Sequence, residues 1–161
     1  MKLYLLTNMY CGGQHAGIQG IHSAIRLFAK YTFDDRDFPE LTQQVLDWYE
    51  DYETVVLLQS GMDHDGLKVL VKSLDALESD VSYKRFKSDD YNPVFPIVPF
   101  AEFKEPGMNH TISSVAVLCD SLMVENMNSL RSGIITADDI LNYYGEVLGN
   151  LLIKMTYMRT V

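Results

Sequence analysis

Cationic side chains are scarce in this sequence. Its 161 residues carry 13 Lys and Arg against 22 Asp and Glu, a formal net charge of −9. The average field therefore repels a phosphate backbone, and any grip on nucleic acid has to come from a local basic patch. One short run offers such a patch, Lys84, Arg85 and Lys87 with Tyr83 and Phe86 interleaved, and a solvated strand face explains it equally well. Cysteine is almost missing. Cys11 and Cys119 alone make neither a disulfide framework nor, by spacing, a zinc site, so reduced thiols are expected. No apolar run approaches the roughly 20 residues a membrane span needs. The run Leu3-Tyr4-Leu5-Leu6 is too short for a signal h-region and no small-residue cleavage pattern follows it. The cytoplasm is the expected compartment, with no membrane partner. Proline is confined: four of the five stand at 93, 96, 99 and 106, which argues for an irregular, edge-like connection there rather than a central strand.

What remains is an ordinary globular composition, with 47% hydrophobic and 22% charged residues, and a length that points to a single domain over 1–161. Leu3 to Leu6 reads as a strand that breaks at Gly12 and Gly13 and turns into a helix running to Phe28. Tyr31 to Asp37 is an acidic turn, after which Asp37 caps a short helix carrying Phe38, Leu41, Val45, Trp48 and Tyr49. Val55 to Leu58 reads as a buried strand, and Asp63 or Asp65 caps a helix with Leu67, Leu70, Val71, Leu74 and Leu77 at a 3.6 period. Val81 to Phe86 alternates as a strand exposed on one side, and Ile112 to Cys119 reads as the last strand, preceded by a loop over 104–110. Thr136 opens a capping-box-like Thr-Ala-Asp-Asp before a broad stripe from Ile140 to Met155. That stripe either closes the core or forms a homodimer interface. The fold class is thus α/β, a mixed four-stranded sheet with helices on both faces, followed by an extra C-terminal helix in 120–161.

The first helix sorts into three faces at about 100° per residue. Gly13, Gly17, Gly20 and Ala24 form a side-chain-poor stripe against which another backbone can lie. Ile18, Ile21, Ile25 and Phe28 form an apolar stripe expected to be buried on the sheet, and His15, Gln19, His22 and Arg26 form a polar face. A solvated surface gives the same polar pattern, but this face begins at a helix N-terminus, where anions and developing negative charge are favoured. Gly20 in mid-helix costs about 0.8–1 kcal/mol relative to Ala, which a close approach would offset.

Several chemistries are available to these residues. His15 and His22 at spacing seven do not make the usual helical metal pair, Asp63-His64-Asp65-Gly66 is more simply a helix cap than a cation loop, and no metal is expected. Gly12-Gly13-Gln14-His15-Ala16-Gly17 fits neither phosphate-binding glycine motif, so no cofactor is expected. Cys11 before a helix N-terminus with His15 nearby could be an activated thiol, or simply a small buried residue. Hydrolysis by activated water fits best: His22 as base, Glu105 orienting it, and Gln19 and Asn109 as hydrogen-bonding neighbours.

The first strand, the Gly-rich turn and Gln19-Gly20-Ile21-His22-Ser23-Ala24 resemble the Gln-x-x-His-x-Ala helix of type 2 peptidyl-tRNA hydrolases. Phe103-Lys104-Glu105-Pro106-Gly107-Met108-Asn109, followed by Ser113 to Leu118, is similar to the acidic-residue loop and last strand of that fold, and especially to its small, bacteriophage-type members. The resemblance spans 1–119. It implies an ester or amide hydrolase in which His22 and Gln19 occupy the helix positions, Glu105 stands for the family's aspartate, and His15 falls where the family has lysine. Catalytic roles pass to His22, Glu105 and His15, and substrate contacts to Gln19, Asn109 and Arg26. Three departures accompany it: a titrating imidazole in place of a fixed cation at 15, an acidic chain where a tRNA partner calls for basic surface, and the helix beyond 120. The competing reading is a non-catalytic protein that keeps the fold and binds a small anionic or protein ligand, the two being separated by whether Lys at position 15 raises activity.

Overall fold

The computed structural model describes residues 1–33, 39–87 and 97–161, with the backbone alone for 81–87. Within these limits the chain runs β1 (Lys2–Thr7), α1 (Gly13–Thr32), α2 (Pro39–Asp47) with a π-helical turn over Trp48–Tyr52, β2 (Val55–Gln59) and α3 (His64–Lys87). It continues through β3 (Phe100–Glu105), a 3-10 turn over Pro106–Met108, β4 (Thr111–Cys119), α4 (Ser121–Arg131), α5 (Ala137–Tyr157) and β5 (Arg159–Thr160). The architecture is α/β, with one mixed five-stranded sheet in the order β3-β4-β1-β2-β5. β1 pairs in parallel with β2 and antiparallel with β4, so the most apolar strands sit at the centre.

Alternation in the central strands explains why both faces are covered. Tyr4 and Leu6 on β1 point to one side with Leu58, Val115, Val117 and Cys119, where α3, α4 and α5 close a large core. Leu3 and Leu5 point to the other with Ala116 and Leu118, where Leu27 and Tyr31 of α1 and Leu41 and Val45 of α2 cover them. A period of two with apolar residues on both phases can only be satisfied by helices on both faces. The C-terminal stripe closes the core: Leu148 and Leu152 are fully buried with Tyr4 and Leu6, so 120–161 and 1–119 share one interior. Its N-terminus carries the expected capping box, with Asp139 N–H donating to Thr136 Oγ1 (3.2 Å) and Thr136 N–H to Asp139 Oδ2 (2.8 Å). At Gly145, with φ of +74°, α5 leaves helical geometry and then resumes.

Five expectations are corrected. The sheet has five strands among the described residues, because β3 is an edge strand between Pro99 and Pro106, its register with β4 shifting between Phe103 and Lys104, and the two-residue β5 adds to β2. Val81 to Phe86 is helical: α3 runs 24 residues to Lys87, since neither Gly nor Pro interrupts the chain between Gly66 and Pro93. β2 is only partly buried, Val55 being 49% exposed. Most consequentially, Ile18, Ile21 and Ile25 are exposed, and α1 rests on the sheet through Ala16, Gln19, Gly20, Ser23, Leu27 and Tyr31. Tyr31 and Thr32, expected in an acidic turn from Tyr31 to Asp37, instead close α1; the rest of that turn over 34–37, the basic run at 83–87 as a side-chain patch, the Asp37 cap, Phe38 and Phe95 lie outside the described residues.

The reversed seating of α1 follows from close approach. An added Cβ on Gly20 would lie 3.0 Å from both Leu5 Cδ1 and Leu57 Cδ1, so the helix sits directly on β1 and β2 through a residue without a side chain. Isoleucine cannot occupy that line. At the C-terminal end of α1, Lys30 Nζ and Tyr31 Oη bind the two oxygens of buried Glu78 on α3 at 3.1 and 3.0 Å. Lys30 also lies 3.8 Å over the Phe100 ring, joining both helical layers around the end of β3.

Candidate functional site

Gln19 is the largest polar side chain that α1 buries against the sheet, with 3% of its surface exposed. Its backbone carbonyl accepts from Ser114 Oγ (2.5 Å), its side-chain Oε1 accepts from Ser113 Oγ (2.7 Å), and its Nε2 donates to Glu105 Oε2 at 2.7 Å. A buried amide with all these groups engaged has one orientation. Glu105 closes β3 and caps the 3-10 turn, its Oε1 facing Gly107 N–H at 3.4 Å. His15, one turn before Gln19, brings Nε2 to 3.5 Å from the same amide nitrogen. Residues 15, 19, 105 and 113 thus form one polar chain from the exposed helix surface to buried β4.

That chain opens into a cleft of about 290 Å³ through His15 and Ser113. Asn8, Tyr10 and Cys11 from the end of β1 form one wall, Asp63, His64 and Asp65 from the start of α3 another, and Met108 and Thr111 the rim. Asn8 is fixed by donating to the Ile112 carbonyl (3.1 Å) and accepting from Tyr10 N–H (3.0 Å). Asp63 caps α3 through Gly66 N–H at 3.0 Å. His64 Nδ1 accepts from Ile112 N–H at 2.9 Å, so a neutral His64 ring carries its proton on Nε2, available as a donor. Burial pushes the Cys11 thiol above its ordinary value and the nearby Glu105 charge adds to the effect. Cys11 therefore lacks the depressed pKa of a nucleophile.

The sequence-derived site divides in two. His15, Gln19 and Glu105 come together. His22 does not join them: it is exposed on α1 with its ring edge-on to Phe103 at 4.4 Å, and the bond expected from it to Glu105 is made by Gln19. Asn109 is exposed at the tip of the loop in the left-handed region, φ 52°. Arg26 is exposed two turns from Gln19 along α1. Ser113 was not singled out by sequence, because a serine in an apolar strand carries no spacing signal, and His64 was weighed only within a possible cation loop, because its contact is with an amide 48 residues away. Among the described residues, no three His, Cys, Asp or Glu side chains gather at metal-binding range, and no helix is long and apolar enough to cross a membrane. No protein-family model matches the chain, and no curated protein matches it significantly.

Proposed function

We propose that this chain is a peptidyl-tRNA hydrolase-like protein that hydrolyses an ester or amide bond, with Glu105 at the reacting centre. The observation that carries the reading is the bond from Gln19 Nε2 to Glu105 Oε2 at 2.7 Å, with His15 beside it. Three positions matched to the family from sequence alone, two on a helix and one 86 residues later, belong to one hydrogen-bonded chain at a cleft. Gln19 and the Gly107 amide each engage one carboxylate oxygen of Glu105, whose charge stands near Cys11 of the cleft lining. There it takes a proton from water as the water oxygen attacks the acyl carbon, and returns it to the leaving oxygen or nitrogen as that bond breaks. Gln19 is a positioning residue, and His64 Nε2–H and the uncapped N-terminus of α1 are the donors for the oxyanion. His22 moves from base to a flanking position.

A second reading, a non-catalytic binding protein, is favoured by one observation: the cleft is lined by the carboxylates of Asp63 and Asp65, with His15 where the resemblance calls for a lysine. Hydrolysis of an N-acetylated aminoacyl-tRNA by the pure protein separates the two. In the hydrolase reading Glu105→Gln abolishes turnover, His22→Ala retains most of it, and His15→Lys raises it. No turnover, together with no tRNA binding at low salt, assigns the chain to the binding class.

A further inference from the structure

The structure leaves the most apolar stripe of α1 uncovered. Ile18, Ile21 and Ile25 are 52, 57 and 62% exposed. Their spacing continues to Phe28, whose ring meets that of exposed Tyr49 at 5.5 Å between centroids. Spacings of three, four and three place these side chains on the a and d positions of two consecutive heptads, the seam one helix offers another. Gly17 flanks the seam, and a Cβ built there meets nothing within 4 Å. Among the described residues nothing requires glycine at 17, although Gly weakens a helix interior. Ala24 stands seven residues on, partly buried against the core beneath α1, so the same flank is small in both heptads.

We infer that this chain forms a homodimer through the outer face of α1, two copies of the helix packing antiparallel across a twofold axis along Ile18, Ile21 and Ile25. The occupant follows from the chemistry of the face. Its stripe on α1 carries no carboxylate and its charged neighbour there is Arg26, the exposed carboxylates of Glu50 and Asp51 coming only after Tyr49 at one end. Nucleic acid and anionic membrane surfaces call for rows of Lys and Arg, which neither this face nor a chain of net charge −9 provides. A stripe of isoleucines flanked by small residues is its own complement under a twofold axis. The three isoleucines with Phe28 and Tyr49 offer roughly 400 Å² of apolar surface per copy, the order of the apolar core in a standard interface of about 800 Å² per partner. None of these residues lines the cleft, so the dimer does not depend on the hydrolase reading and leaves the cleft open.

The test is the mass of the full chain by light scattering and sedimentation across micromolar concentrations, the monomer being 18.3 kDa. Wild type is expected at twice that mass. Ile21→Glu and Ile25→Glu, at positions already exposed, are expected to be monomeric with unchanged far-UV circular dichroism, the dissociation constant rising at least about a hundredfold. Leu122→Glu, at an exposed leucine of α4, is expected to stay dimeric. Monomeric wild type overturns the inference, and so does a dimer that survives both isoleucine variants. Should one isoleucine variant lose its circular dichroism, Gly17→Leu provides the same reading from the adjacent flank, where the side chain has free space within the monomer.

Discussion

Gly17→Ala and Gly20→Ala are the same chemical change one turn apart on the same helix, and the structure predicts opposite outcomes. Both relieve the entropic cost of helical glycine, a gain of about 0.8–1 kcal/mol. At position 17 nothing opposes that gain, because the new methyl meets no atom within 4 Å. At position 20 the methyl arrives 3.0 Å from Leu5 Cδ1 and Leu57 Cδ1 and 3.3 Å from Leu5 Cβ. Leu57 is partly buried and can rotate its terminal methyl away. The Leu5 Cβ cannot move without shifting β1, the strand on which both neighbours hydrogen-bond. Overpacking of this kind costs about 1–3 kcal/mol, with the fixed backbone placing it at about 2, so Gly20→Ala is destabilised by about 1 kcal/mol net. The two variants should therefore differ by about 2 kcal/mol. In equilibrium urea unfolding, with a slope of about 2 kcal/mol/M, their midpoints separate by about 1 M, read at low protein concentration so that association does not enter. If Gly20→Ala is stabilised as much as Gly17→Ala, α1 does not sit on the sheet through Gly20, and the account of why its isoleucines face outward fails with it.

Three further outcomes follow from the same contacts. Glu78→Ala leaves Lys30 and the Tyr31 hydroxyl without their carboxylate in a largely buried setting, and should lower stability by about 3 kcal/mol in urea titration, with Glu78→Gln intermediate. Gln19→Met removes the charge-assisted bond to Glu105 and the acceptor of Ser113, for a loss of about 2–3 kcal/mol, tempered by the Phe103 carbonyl 3.4 Å from Ser113 Oγ; any hydrolytic activity should vanish with it while circular dichroism is retained. Burial pushes Tyr4 and Tyr144 each up to about 12. Their phenols hold protons in the folded state that the unfolded chain releases near 10, so stability present below pH 10 is lost as pH rises from 10 to 12. Thermal midpoints across that range should fall, and Tyr4→Phe should flatten the fall.

What sequence disclosed and what it hid divide by the range of the forces involved. The capping box at Thr136 and the cap of α3 rest on contacts three residues long; the first was legible, and the second was narrowed to Asp63 or Asp65, of which Asp63 makes the bond. The central strands β1, β2 and β4 were legible because their apolar runs are dense and bounded by turn residues. Val81 to Phe86 misled because six residues can satisfy a period of two by chance, whereas the absence of any breaker after Gly66 was the better signal: an established helix propagates cheaply. β3 was masked by its flanking prolines, none of which falls within Phe100–Glu105. α4 went unread although Asp120 caps it through Met123 N–H at 2.7 Å and Met123, Met127 and Leu130 give it a buried stripe. At the candidate site, helix spacing grouped His15 with Gln19 but could not decide which of Gln19 and His22 faced Glu105. That choice depends on the rotation of α1 about its own axis, which only the sheet fixes.

Why α1 settles in that rotation is an energetic question with two nearly balanced sides. Turning the helix by roughly half a turn would bury Ile18, Ile21 and Ile25, each gaining about 1–1.5 kcal/mol for the half of its surface now exposed. The same rotation would withdraw Gln19 from Ser113 and Ser114, whose hydroxyls sit 2% and 0% exposed on β4 and would each lose a partner at about 1–3 kcal/mol. It would also free the Glu105 carboxylate and press β-branched side chains where a single methyl is already tight. The two serines in the middle of an apolar strand thus select the face of α1, and their reason for being there is the amide they hold. Polar residues that override the stronger apolar stripe of a helix have to be satisfied completely to do so, and Gln19 is. The isoleucines displaced by that choice remain an unsatisfied apolar surface, which a second copy of the same helix can bury without disturbing the carboxylate, the amide or the cleft.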